Sequence, residues 1–165
     1  MDIVKAFAQP VIPRNSRLLM VGDGPDFEET KRCARELAVA NRVEFVGSQT
    51  DVRPYLWQAD VFVLASDDEG APLALLEAMA CGLPYVSTAW GAAAMLPPGE
   101  CGLVVPPRAP EVLAAAMADM INDPERRHAM GARAQQRAEK DFGEESYLEA
   151  HLQLIQHLEQ RDFLG

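Results

Sequence analysis

Two glutamates stand eight residues apart in the run Glu69-Gly70-Ala71-Pro72-Leu73-Ala74-Leu75-Leu76-Glu77. The first closes an acidic triplet, Asp67-Asp68-Glu69, just after the strand-like Val61-Phe62-Val63-Leu64. The second lies inside an apolar helical stretch that continues as Ala78-Met79-Ala80-Cys81-Gly82-Leu83-Pro84. In an open parallel sheet, ligands bind where the carboxyl end of a strand meets a helix amino terminus. A carboxylate at that corner and another about two helical turns further on can hold two different hydroxyl-bearing parts of one ligand.

Each candidate has a plainer reading. The helical neighbours of Glu77 are Leu73, Ala74, Ala80 and Cys81, none of which pairs with a carboxylate. Glu77 therefore sits at a rim reaching water, or is buried with a partner such as a ribose diol. Glu69 taken alone is an acidic residue favoured by a helix dipole. Taken with the corner, it is a carboxylate facing a sugar. The acidic triplet lacks other placed ligands, so no metal is expected. Gly70 and Ala71 offer backbone N–H groups to a diphosphate, whereas Pro72 has none to offer. Gly22-Asp23-Gly24-Pro25 is a second strand-to-helix glycine loop; it lacks the third glycine of the dinucleotide fingerprint, which argues against NAD.

The elements that must position these residues alternate. Strands are predicted at 17–21, at 43–46 closed by Gly47, at 61–64, at 84–87 and at 102–105. Helices are predicted at 25–40, from an Asp51 cap through Trp57, at 72–81 ending on Gly82, at 110–121, at 124–139 and at 144–159. Continuous apolar strands alternating with helices imply a parallel sheet covered on both faces. The fold class is α/β: a Rossmann-like parallel sheet sandwiched by helices, with a helical carboxyl-terminal tail. All 165 residues read as one domain, with no internal repeat or linker. Residues 2–8 read as a helix already under way without a cap, so Met1 is expected to lie inside a longer protein.

Composition narrows the function. The formal net charge is -10, and lysine occurs at positions 5, 31 and 140 alone, so there is no basic stripe for nucleic acid. No apolar run is long enough to span a bilayer, and no signal peptide opens the chain. Cys33, Cys81 and Cys101 form no C-x-x-C pair and read as buried thiols of a reducing, cytoplasmic compartment. His128, His151 and His157 read as surface residues of the helical tail, and Trp57 and Trp90 as packing residues.

Taken together, these blocks resemble the carboxyl-terminal domain of retaining glycosyltransferases of family 4 (group 1), which have the GT-B fold. The resemblance rests on Val21-Gly22-Asp23-Gly24-Pro25, Val43-Glu44-Phe45-Val46-Gly47, Ala59-Asp60-Val61-Phe62-Val63 and the run from Glu69 to Pro84. It continues through Gly102-Leu103-Val104-Val105-Pro106-Pro107, Asp123-Pro124-Glu125-Arg126-Arg127 and Met130-Gly131. It implies that Glu69 lies by the donor sugar and the reacting centre. Gly70, Ala71, Pro72 and Leu73, with the Gly22 and Gly24 loop, would border the sugar and diphosphate. Glu77 would hold the nucleotide ribose, and Val46, Gly47 and the loop to Val52 would border the base. The resemblance implies a nucleotide-diphosphate sugar as donor substrate, no metal and no other cofactor.

Two features depart from the family. Its Arg and Lys pair for the diphosphate would fall before Met1, together with the acceptor-binding domain through which the acceptor, and any membrane surface, would be met. Its Gly-Gly-x-x-Glu loop stands here as Gly91-Ala92-Ala93-Ala94-Met95. The 165-residue chain is therefore expected not to transfer sugar by itself. Two rivals stay open at this stage: a nucleotide-sugar epimerase of the same fold, and a non-catalytic receiver-type signalling domain. The two spaced glutamates with Cys81-Gly82-Leu83-Pro84 favour the transferase. A receiver needs a lysine after a late strand, and none lies between Lys31 and Lys140.

Overall fold

A computed structural model describes residues 1–66, 73–88, 99–146, 148–149 and 151–153. The chain runs α1 (Asp2–Phe7), β1 (Leu18–Val21), α2 (Phe27–Glu36), a 3-10 turn (Ala40–Arg42), β2 (Val43–Gly47) and α3 (Arg53–Leu56). It continues with β3 (Phe62–Leu64), α4 (Leu73–Ala80), β4 (Tyr85–Thr88), β5 (Gly102–Val105), α5 (Pro110–Asn122) and α6 (Pro124–Phe142). Residues 144–146, 148–149 and 151–153 continue as helix.

Every ladder among the described residues is parallel. β1 pairs with β2, with Leu18 opposite Val43 and Val21 opposite Gly47. β3, β4 and β5 form a second piece in that order, with Phe62 opposite Tyr85 and Tyr85 opposite Gly102. The period of two along each strand then sorts the side chains. Val63, Val86, Leu103 and Val105 join Leu18, Val43 and residues of α1, α2 and α5 in one core. Phe62, Leu64, Tyr85 and Val104 join Leu75 and Met79 of α4 with Ala134 and Ala138 of α6 in a second. Both faces of the sheet are thus covered by helices, as the apolar strands require.

Two close approaches depend on missing side chains. A Cβ on Gly102 would overlap the Tyr85 carbonyl oxygen and ring, so glycine lets β5 lie against a fully buried tyrosine. A Cβ on Gly131 of α6 would overlap the Gly82 carbonyl oxygen, just past the end of α4. Gly82 itself has φ +77 and closes α4: its N–H donates to Met79 O at 2.9 Å and Leu83 N–H donates to Ala78 O at 3.0 Å.

The predicted boundaries shift at several elements. The helix expected at 25–40 stops at Glu36. Ala38 N–H donates to Arg35 O and Val39 N–H donates to Ala34 O, the same helix-ending pattern as after α4, here built on Ala38 at φ +55. The usual glycine signal is absent, so the sequence reading ran past the end. The α3 helix is one short turn, Arg53–Leu56, rather than a segment through Trp57. The Asp51 carboxylate accepts from Arg53 N–H at 3.1 Å, as its capping reading implies, and also grips the Arg53 guanidinium at 2.8 and 2.9 Å. At the other end of the chain, α6 runs to Phe142, three residues beyond expectation. It starts as predicted, with Asp123 accepting from Arg126 N–H at 3.0 Å and Pro124 in the first turn.

Candidate functional site

Within each piece of the sheet the strands run the same way, so their carboxyl ends share one edge. At that edge β1 and β2 finish side by side in glycines. Gly22, Gly24 and Gly47 have φ of +117, +155 and +78, conformations that exclude most side chains. Gly22 N–H donates to Gly47 O at 2.7 Å, closing an isolated bridge beyond the regular ladder. An added Cβ at any of the three would meet nothing within 4 Å. These glycines are therefore required by backbone angle and leave open space above the strand ends. The Gln49 amide donates to Val46 O at 3.3 Å, and the Asp51–Arg53 pair fixes the entry to α3. The Arg53 guanidinium holds the Asp51 carboxyl below its ordinary range. Gly22 and Gly47, far apart in sequence, thus meet at one corner, with Gly24 and Val46 close by along the chain.

The second group stands on α4. Leu75, Ala78 and Met79 are buried beneath the helix, which turns Leu73 and Glu77 outward on one face at i and i+4. Leu73 is 69% exposed. Glu77 is also exposed, and no side chain among the described residues pairs with its carboxylate. Glu77 thus lies at a rim open to solvent. Glu69, Gly70, Ala71 and Pro72 lie outside the described residues, as do Trp90, His157 and the 91–95 loop.

One turn past Glu77, Cys81 is only half-buried, whereas Cys33 and Cys101 are buried as expected. Burial pushes the Cys81 thiol up, and the Glu77 carboxylate adds to the shift, while Trp57 and Arg53 oppose it. The α3 side chains therefore lie beside the Glu77 face of α4. Trp57 corrects its packing reading: it is 69% exposed, just past the end of α3. His128 and His151 are exposed, as expected.

Sequence reasoning passed over the clasp between β3 and β4. Thr88 Oγ1 donates to Ser66 O at 2.6 Å, with Thr88 buried, so the two strand ends on either side of the Glu69 run are tied together. No local signal marks a hydrogen bond between residues this far apart in sequence. A crevice of about 450 Å³ lies elsewhere, between α1, α2 and α5, lined by Lys5, Gln9, Glu29, Arg32, Cys33 and Glu36. Its cations are engaged by neighbours, Arg32 with Glu29 and Glu36 and Lys5 with Asp2, and none of the predicted site residues reaches it. Among the described residues there is no cluster of metal-ligating side chains and no helix long and apolar enough to cross a membrane.

A parallel α/β domain with an open glycine corner at its strand ends and an exposed glutamate on the apolar α4 has the architecture of one half of a GT-B fold. The profile of the family described as glycosyl transferases group 1 matches residues 2–123, and the chain belongs to that family. It is 34% identical over 145 residues to the N-acetyl-alpha-D-glucosaminyl L-malate synthase of Bacillus anthracis, covering 87% of this chain and 38% of that protein. Among solved structures, sucrose-phosphate synthase from Thermosynechococcus elongatus superposes with a TM-score of 0.84 at 32% identity, covering 97% of this chain and 42% of the other. The Anabaena protein Alr3699/HepE, solved in complex with UDP-glucose, superposes with a TM-score of 0.84 at 25% identity, covering 96% and 44%. The chain thus spans about two fifths of the length of these three relatives. The family leaves the receiver and epimerase readings without support.

Proposed function

We propose that this chain is the donor-binding domain of a retaining glycosyltransferase, working with a separate acceptor-binding domain and moving a sugar from a nucleotide-diphosphate donor to an acceptor hydroxyl. The observation that carries the proposal is the open corner at Gly22 and Gly47, taken together with the exposed Glu77 carboxylate on α4. On this reading Val46, Gly47 and Val52 border the base, and Glu77 accepts hydrogen bonds from the ribose diol. Gly22, Gly24 and the segment Gly70-Ala71-Pro72-Leu73 face the diphosphate and sugar, chiefly through backbone N–H groups. Glu69 lies against the sugar at the reacting centre. The bond between the sugar and the departing diphosphate breaks as the acceptor oxygen bonds to the sugar. Fixed protein dipoles and charges stabilise the charge that develops, without a metal. Three free thiols suit a reducing cytoplasm, where we place the protein.

Calorimetric titration of the 165-residue chain with UDP, GDP and ADP tests the reading. One of them binds saturably at one site, and the chain shows no sugar transfer from the matching nucleotide sugar, because proximity to an acceptor is missing. Failure of all three to bind, or turnover by the purified chain, would overturn it.

A further inference from the structure

The chain carries 25 acidic residues against 15 lysines and arginines, yet the charge is unevenly spread. The stretches 8–18 and 37–43 contain Arg14, Arg17 and Arg42 and no aspartate or glutamate. The fold brings these two stretches together. Leu18 pairs with Val43, so Arg17 and Arg42 are the neighbouring residues that lead into β1 and β2. The Arg42 guanidinium donates to Pro13 O at 3.3 Å and lies 4.6 Å from the centre of the Phe7 ring, which ties the loop carrying Arg14 to the same edge. Arg35 stands in the last turn of α2, from which the chain passes through the 3-10 turn Ala40–Arg42 into β2.

Arg14, Arg17 and Arg35 are exposed, and among the described residues none of the three is held by a carboxylate or a side-chain hydrogen bond. The nearest carboxylates in sequence are Glu36, which pairs with Arg32 at 3.6 Å, and Glu44, the second residue of β2. Val11, in the loop with Arg14, and Leu37, just past α2, are exposed apolar side chains on the same two stretches. Like charges grouped in this way repel, and a chain already at -10 does not need them for solubility. Unengaged guanidinium groups flanked by exposed apolar side chains match an anionic bilayer surface. The cations meet headgroup phosphates, and the apolar groups enter the boundary of the acyl chains. A nucleic-acid backbone would meet the arginines as well, but it offers Val11 and Leu37 no apolar phase, so the lipid surface is favoured.

We propose that the amino edge of β1 and β2, with Arg14, Arg17, Arg35 and Arg42, is a docking surface for an anionic phospholipid membrane. The contact is made by this domain itself, and it stands independently of the donor-site reading. β1 and β2 are parallel, so their amino edge lies at the opposite end from the Gly22–Gly47 corner, about 13 Å away along the strands. Docking by this edge leaves that corner turned away from the lipid.

The test is sedimentation of the 165-residue chain with vesicles of phosphatidylcholine alone and of phosphatidylcholine mixed equally with phosphatidylglycerol. The wild type binds the mixed vesicles despite its net negative charge, leaves the neutral ones unbound, and is released by high salt. The triple variant Arg14→Gln, Arg17→Gln, Arg35→Gln binds the mixed vesicles about tenfold or more weakly. A second triple variant, Ala132→Glu, Gln136→Glu, Lys140→Gln, loses the same three units of charge on exposed positions of α6 and binds within about twofold of the wild type. Both variants melt close to the wild-type temperature, because all six positions are exposed. The assignment is wrong if the wild type ignores the mixed vesicles or binds neutral ones as well. It is equally wrong if the arginine variant binds like the wild type, or if the two variants weaken in parallel. A chain that ignores vesicles but holds an RNA oligonucleotide through the same three arginines also overturns it, in favour of a nucleic-acid surface.

Discussion

Replacing Glu77 with glutamine removes one charge and leaves the shape of the side chain. The carboxylate is exposed on α4, above buried Leu75, Ala78 and Met79, and pairs with no described side chain. Its loss should therefore change the unfolding free energy by no more than about 0.5 kcal/mol. Binding is a different matter if the carboxylate accepts from a ribose diol. A hydrogen bond to a charged group contributes about 1.5–3 kcal/mol, and solvent at an exposed rim places this one at the lower end. With about 1.4 kcal/mol per factor of ten, Glu77→Gln should weaken nucleoside diphosphate binding about tenfold. Calorimetry with the ribo- and 2′-deoxy forms of the same nucleotide separates this contact from general damage. The wild type should discriminate against the deoxy form, and the variant should lose most of that discrimination. Equal discrimination in both proteins, or unchanged affinity for the ribonucleotide, would leave Glu77 an ordinary solvated residue.

Glu69 should behave oppositely: in a longer protein that carries the acceptor domain, Glu69→Ala should cut kcat severely while leaving nucleoside diphosphate affinity nearly intact, and the two constants measured side by side decide it. Gly131→Ala should destabilise the chain by about 1–3 kcal/mol in urea, because the added methyl meets the Gly82 carbonyl oxygen at the end of α4. Helix propensity alone predicts a gain of about 1 kcal/mol, so a more stable variant would disprove the close approach. The last prediction concerns alkaline pH. Burial pushes the Tyr85 phenol up to about 12, so the folded chain holds that proton after the unfolded chain has lost it. The stability this confers is complete below about pH 10, the ordinary tyrosine value, and is lost as pH rises towards about 12. Urea midpoints at pH 8 and pH 11 should diverge in the wild type and converge in Tyr85→Phe; an equally steep alkaline loss in the variant assigns it to other groups.

Much of this was legible along the chain because it depends on neighbours in sequence. The alternation of apolar strands with helices gave the parallel class, since strands buried on both faces must be apolar throughout. Gly82 after α4, and Asp123 with Pro124 before α6, marked helix ends through their own backbone angles and hydrogen bonds. The spacing of Glu69 and Glu77 singled out α4 and the corner before it. The end of α2 was missed because Ala38 adopts an angle that glycine usually announces.

What the sequence could not express is which surfaces meet. That Glu77 faces outward follows from the packing of α4 on Tyr85 and on α6, and Trp57 is exposed just past the end of α3. The pairing of Val21 with Gly47 brings two glycine loops into one corner, and the bond from Thr88 to Ser66 ties the ends of β3 and β4. The glycine corner and the Thr88–Ser66 bond join residues more than twenty positions apart, where local backbone preference carries no information. Their proximity arises only when apolar faces from several elements are buried together in a common core.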